Sequence, residues 1–227
     1  MGDDSSVTMP KEENCLQSDA EIYYLEIDEV LRIEKVIEEQ VQKAWKSDKW
    51  HKNSIARYGY IVLFMLNRGL RKGEILALEW EDLWSDRQRV NINKSLGLIK
   101  NRNWQEGEPQ NIWHLGTPKS KKGIRLVSYN KKARYYMQEL KKIQEHFGYS
   151  DQKYITRTPN GTPLHKSTWT SLLNQICKLA KIDKPVSPHE LRHTFATICI
   201  SRGVNIFVVL NKWAMLAYEK QNGMCIY

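Results

Sequence analysis

A mainly helical domain carrying one small antiparallel sheet is what the sequence predicts, and three observations predict it. Apolar residues recur at three- and four-residue steps in several long segments, which is the spacing of a helix with one buried face. Between those segments, Arg89 to Asn93 and Asn111 to Tyr129 alternate as strands do. Late in the chain, Ser187-Pro188-His189-Glu190 punctuates a helix start: an N-cap serine, a proline for the first helical position, and a Ser-x-x-Glu capping box. With 227 residues and 41% apolar content, the chain can bury a core for one domain and little more.

Residues 1 to about 20 are polar and acidic, without periodicity, and read as a tail or linker. From Glu29 to Trp45 the apolar set Val30, Ile33, Ile37, Val41, Ala44 and Trp45 marks an amphipathic helix. The next helix, Ile55 to Leu66, is apolar on most sides, so it belongs at the centre of the core. Gly69 interrupts, and Leu70 to Leu78 resumes the helical pattern with Arg71, Glu74 and Leu78 along one side. The segment Asn111 to Tyr129 reads as two strands around the basic turn Lys119-Ser120-Lys121-Lys122-Gly123. Ala133, Tyr136, Met137, Leu140 and Ile143 give another amphipathic helix, and Thr158-Pro159-Asn160-Gly161-Thr162-Pro163 a turn-rich loop. Helices over Lys166 to Ala180, Pro188 to Arg202 and Asn205 to Met215 complete the pattern.

Charge narrows the function. Lys and Arg number 35 against 26 acids, a formal charge of +9, which points toward a polyanion such as nucleic acid or an anionic membrane surface. No apolar run approaches the ~20 residues of a transmembrane helix, and the first residues lack a signal-peptide pattern. A soluble protein of the cytoplasm is expected. Cys15, Cys177, Cys199 and Cys225 lack CxxC spacing or a partnering His pair, so they are read as reduced thiols without zinc or disulfide.

The candidate chemistry sits in three places: Arg71, Lys119, and the pair His189 and Arg192. His189 falls in a first helical turn, where free N–H groups and the helix dipole favour an anion, and Arg192 follows three residues later on the same face. The residues alone leave other readings open. Arg71 can simply pair with Glu74 at i, i+3, and Lys119 can be one of several solvated turn lysines.

Taken together and in this order, the motifs resemble those of the tyrosine recombinases, the phage-type integrase family. Arg68-Gly69-Leu70-Arg71-Lys72-Gly73-Glu74-Ile75-Leu76-Ala77-Leu78-Glu79-Trp80 resembles the first arginine box, Thr117-Pro118-Lys119-Ser120-Lys121-Lys122-Gly123-Ile124-Arg125 the hairpin-lysine motif, and His189-Glu190-Leu191-Arg192-His193-Thr194-Phe195-Ala196-Thr197 the His-x-x-Arg box. The resemblance runs from about Tyr23 to Trp213 and implies the integrase catalytic-domain fold over residues 21–213. It implies Arg71, Lys119, His189 and Arg192 as catalytic residues, Glu74 and His193 as their supports, and Lys121, Lys122 and Arg125 as DNA contacts. It further implies DNA breaking and rejoining through a 3′-phosphotyrosine, with no cofactor and no metal. The implied partner is a double-stranded recombination site and not a membrane. The family forms tetramers on DNA, and a monomer is the open alternative for this chain.

Two departures shape the expectation. The first 20 residues look like an interdomain linker without its upstream domain, and residues 214–227 break the family's C-terminal pattern. The second active-site His is missing there, Tyr218 comes too early, and Tyr227, the remaining candidate nucleophile, about two places late. A frameshift after Trp213 would account for this tail. The expected protein is therefore a truncated, catalytically impaired recombinase, and the alternative is a non-catalytic DNA-binding remnant.

Overall fold

Helix α2 (Ser54–Arg68) is the axis of the domain: from Tyr58 to Arg68 every residue is buried. The computed structural model describes residues 23–48, 50, 53–84, 86–117, 124–148, 153–205 and 209. Around α2 pack α1 (Ile27–Ser47), α4 (Lys131–His146), α5 (Lys166–Ala180) and α6 (Pro188–Ser201). Each outer helix turns one apolar stripe inward; in α1 that stripe is Val30, Ile33, Ile37, Val41 and Ala44. Helix α1 starts at Ile27, before the expected Glu29, because Glu26 N–H donates to the Glu29 carboxylate at 2.8 Å and closes a capping box. Asn130 caps α4, its Oδ1 accepting from Ala133 N–H at 2.8 Å.

The sheet differs from the expectation. Among the described residues five strands, β1 (Leu83–Trp84), β2 (Arg89–Ile92), β3 (Ser95–Lys100), β4 (Asn111–Gly116) and β5 (Arg125–Ser128), form two separate antiparallel sheets. One has the order β1-β2-β5, and the other is the ribbon β3-β4. The strands on either side of the lysine-rich segment, β4 and β5, therefore pair with β3 and β2 among the described residues and not with each other. Strand β3 gave no signal in the sequence. Its Leu98 and Ile99 are both apolar and both exposed, at 42% and 44%, so the alternation that marks a half-buried strand is absent. At the root of the ribbon, Lys94 Nζ reaches the Glu79 and Asp82 carboxylates at 2.8 and 3.1 Å.

After α2 comes α3 (Lys72–Ala77), which packs against β3 and is shorter than the helix expected over Leu70 to Leu78. Gly69 takes the left-handed conformation (φ 60°) that ends α2, and a Cβ there would strike the ring of Phe195 in α6. Chirality and packing therefore both require glycine at this corner. Of the final helix expected over Asn205 to Met215, the described residues include Asn205, whose carbonyl accepts from Val209 N–H at 3.1 Å, and the buried Val209. The expected linker at 1–20 and the tail at 214–227 lie outside the described residues.

Candidate active site

Arg71 is the N-cap of α3, in extended conformation (φ −73°, ψ 151°). Its backbone N–H donates to Glu74 Oε2 and its Nη1 to Glu74 Oε1, both at 2.9 Å. Extended backbone turns the guanidinium away from the helix axis, so the side chain is still 52% exposed. The i, i+3 pairing considered from sequence is real, and it coexists with an open face on the arginine.

The start of α6 is built as its sequence indicates. Ser187 Oγ accepts from His189 N–H at 3.1 Å, and Glu190 Oε2 accepts from Ser187 N–H at 2.8 Å. His189 and His193, one turn apart, meet edge to face with ring centroids 4.4 Å apart. Burial lowers the His193 pKa, with help from the neighbouring His189 and Arg192 and against Glu190. The shift favours the neutral form of the second imidazole. Arg192 is buried, and its Nη1 donates to the carbonyl of Gly69 at 2.5 Å. Burial, together with the charges of Arg71 and Arg125 and against the pull of Glu74, pushes its pKa down to about 10. At that value the guanidinium remains charged at neutral pH, and an anion entering the cleft would favour the charged form further.

Arg71, His189 and Arg192 line one cleft of about 400 Å³, closed on its far side by Lys166, Trp169 and Thr170 of α5. A groove of about 510 Å³ continues from it, bounded by Arg71 and Lys72, by Leu98 and Trp113 of the ribbon, and by His165 and Lys166. A larger depression of about 680 Å³ along α5 contains none of the three residues, so size alone does not locate the chemistry. Sequence reasoning missed Lys166. It is the first residue of α5 and shares a cleft with Arg71 only through the tertiary fold, so no local signal marks it.

Of the other expected site residues, Lys119, Lys121, Lys122 and Tyr227 lie outside the described residues. Arg125 is described, and its geometry differs from the expected DNA contact. Its side chain is 7% exposed and donates through Nη1 and Nη2 to both oxygens of Glu74 at 2.9 Å. Burial works to raise the Glu74 pKa, but the fork from Arg125 and the bonds from Arg71 outweigh it and hold the carboxyl below its usual range. Cys177 and Cys199 are free and buried, and burial raises their thiols to about 11 and about 12, so they stay protonated. Among the described residues no group of three His, Cys, Asp or Glu could hold a metal, and no helix is long and apolar enough to cross a membrane.

The chain is 29% identical over 156 residues to the ICEBs1 integrase of Bacillus subtilis (strain 168), an alignment covering 66% of this chain and 39% of that protein. It is 25% identical over 218 residues to the integrase of Staphylococcus phage L54a, covering 92% of this chain and 58% of that one. The chain thus spans between 39% and 58% of the length of these two curated relatives. In fold it is similar to the Tn1549 transposon integrase solved in complex with a circular intermediate DNA, with a TM-score of 0.57 at 17% identity, over 86% of this chain and 59% of that one. The model of the Phage integrase family matches residues 24–220, and the chain therefore belongs to the phage integrase family, the tyrosine recombinases.

Proposed function

We propose that this chain is the catalytic domain of a site-specific tyrosine recombinase acting on double-stranded DNA in the cytoplasm, catalytically impaired where its sequence departs from the family pattern after Trp213. One observation carries the reading: two arginines from separate helices and a helix-start histidine share a single cleft. Arginine is permanently charged and presents parallel donors, so Arg71 and Arg192 can hold the non-bridging oxygens of a phosphodiester and stabilise the charge that grows on them. The expected steps balance without a cofactor. A tyrosine hydroxyl, with Tyr227 the candidate in this chain, forms a bond to phosphorus, and its proton passes toward His189. The bond from phosphorus to the 5′-oxygen breaks, and Lys119 protonates that oxygen. The phosphotyrosyl bond conserves the energy for rejoining, so the free 5′-hydroxyl of a partner strand reverses the step. Lys121 and Lys122 serve the DNA backbone.

A duplex nicked next to the scissile position tests this. Once cleaved it loses a short fragment and traps the protein, so a DNA-linked band should appear on a denaturing gel and vanish with Tyr227→Phe. A retarded native band without any adduct would reduce the chain to a DNA-binding protein. An adduct that survives Tyr227→Phe would shift the nucleophile elsewhere, with Tyr218→Phe as the next variant.

A further inference from the structure

A carboxylate offers about four lone-pair positions, and at Glu74 all four are used. Oε1 accepts from Arg71 Nη1 and Arg125 Nη1, and Oε2 accepts from the Arg71 backbone N–H and Arg125 Nη2, each at 2.9 Å. The two arginines share the carboxylate unequally. Arg125 takes the forked, two-nitrogen geometry and lies 7% exposed, whereas Arg71 gives one side-chain nitrogen and keeps 52% of its side chain open. Arg71 lines both the catalytic cleft and the groove beside it, and Arg125 lines neither. An arginine alone with a buried carboxylate settles into the fork itself, because two parallel bonds are stronger than one.

We propose that Arg125 is a positioning residue: by occupying the fork on Glu74 it leaves Arg71 a single side-chain bond there, so that the remaining Arg71 donors stay turned toward the cleft. This role rests on the function proposed above and replaces a DNA-backbone role for Arg125. Without Arg125, the Arg71 guanidinium rotates into the vacated fork and withdraws from the anion position. The loss falls on catalysis and not on affinity, because one misdirected donor among many DNA contacts barely changes binding, whereas a misplacement of about 1 Å at the reacting group can cost about 10²-fold in rate.

The test compares wild type with Arg125→Gln and Arg125→Lys. On the nicked duplex, Arg125→Gln should slow adduct formation about 10²-fold while DNA affinity stays within about threefold. Arg125→Lys, which keeps the charge but cannot fork, should fall between. Affinity and salt dependence that drop with an unchanged rate would overturn the proposal in favour of a phosphate contact. A second readout needs no activity: arginine-labelled protein gives guanidinium NMR signals, assigned for residue 71 with Arg71→Lys. In Arg125→Gln the Arg71 nitrogens should exchange more slowly with water as the fork closes on them. Unchanged Arg71 signals in a folded variant would overturn the proposal whether or not the protein cleaves DNA. Should Arg125→Gln fail to fold, Arg125→Lys decides by the same two readouts. Absence of any wild-type adduct would instead count against the proposed function, leaving the NMR comparison to stand alone.

Discussion

The arginine cluster and the β3-β4 ribbon face the same groove but invert the usual rule of burial. The cluster concentrates charge inside: Glu74, Arg125 and Arg192 are all less than a tenth exposed. The ribbon puts apolar groups outside, with Leu98, Ile99, Ile112 and Leu115 each at least 40% exposed. The first is tied by side-chain bonds from α3, β5 and α6, while the ribbon is a two-stranded sheet among the described residues, rooted through Lys94 and the buried Leu96 against α3. The side-chain cross-links between elements therefore concentrate on the charges. A site that must stabilise a highly charged transition state works best when its donors are fixed before the substrate arrives, and here the fixing comes from one saturated carboxylate and one backbone carbonyl.

Substitutions can break or sharpen this contrast. The largest effect should come from Arg192→Ala, which removes a donor that the proposed chemistry requires: adduct formation should fall by ~10³-fold or more while DNA affinity changes only a few-fold. An equal loss in both would mean that the cluster binds DNA without preparing it for reaction. Glu74→Gln should come next, costing about 3 kcal/mol in urea unfolding near pH 7, because it leaves Arg125 buried with its partner's charge removed. The sign of its pH dependence follows from the lowered pKa of Glu74. The stabilisation is complete above the ordinary carboxylate range and is lost as pH falls through the depressed native value. The gap between wild type and variant should accordingly shrink in acid. A gap that widens in acid would contradict the lowered pKa.

Gly69→Ala should cost about 2 kcal/mol, combining a left-handed backbone with a Cβ pressed on Phe195. Calorimetric melting checks it, and a neutral result would show that α6 can shift away from α2. At the other extreme, Ile99→Thr in the ribbon should change stability by less than about 0.5 kcal/mol, since the side chain is exposed and Thr suits a strand. A loss of 2 kcal/mol or more there would show that the ribbon is as tightly integrated as the cluster.

What could be read in advance follows the range of the interactions involved. Ser187, Glu190 and the helix they open were legible because a cap is made within four residues, and the central place of α2 was legible because its run is apolar nearly all round. The convergence of Arg71, His189 and Arg192 was accessible only through family resemblance. The pairing of Arg125 with Glu74 was not legible, since a basic residue beside a run of lysines looks solvated until the fold brings Glu74 against it. Nor was the division into two sheets, because strand pairing is set by partners distant in the chain, and β2 finds β5 across the whole β3-β4 ribbon.

The bond from Arg192 to the Gly69 carbonyl spans 123 residues, and that from Leu25 N–H to Thr194 Oγ1 spans 169. Contacts this distant form only after the intervening chain has been made and its loops closed. A nascent chain that has emerged only as far as α5 already carries Arg71 but neither His189 nor Arg192, the two cleft residues that α6 supplies. The cleft that the proposed function requires is therefore incomplete until α6 docks against α2.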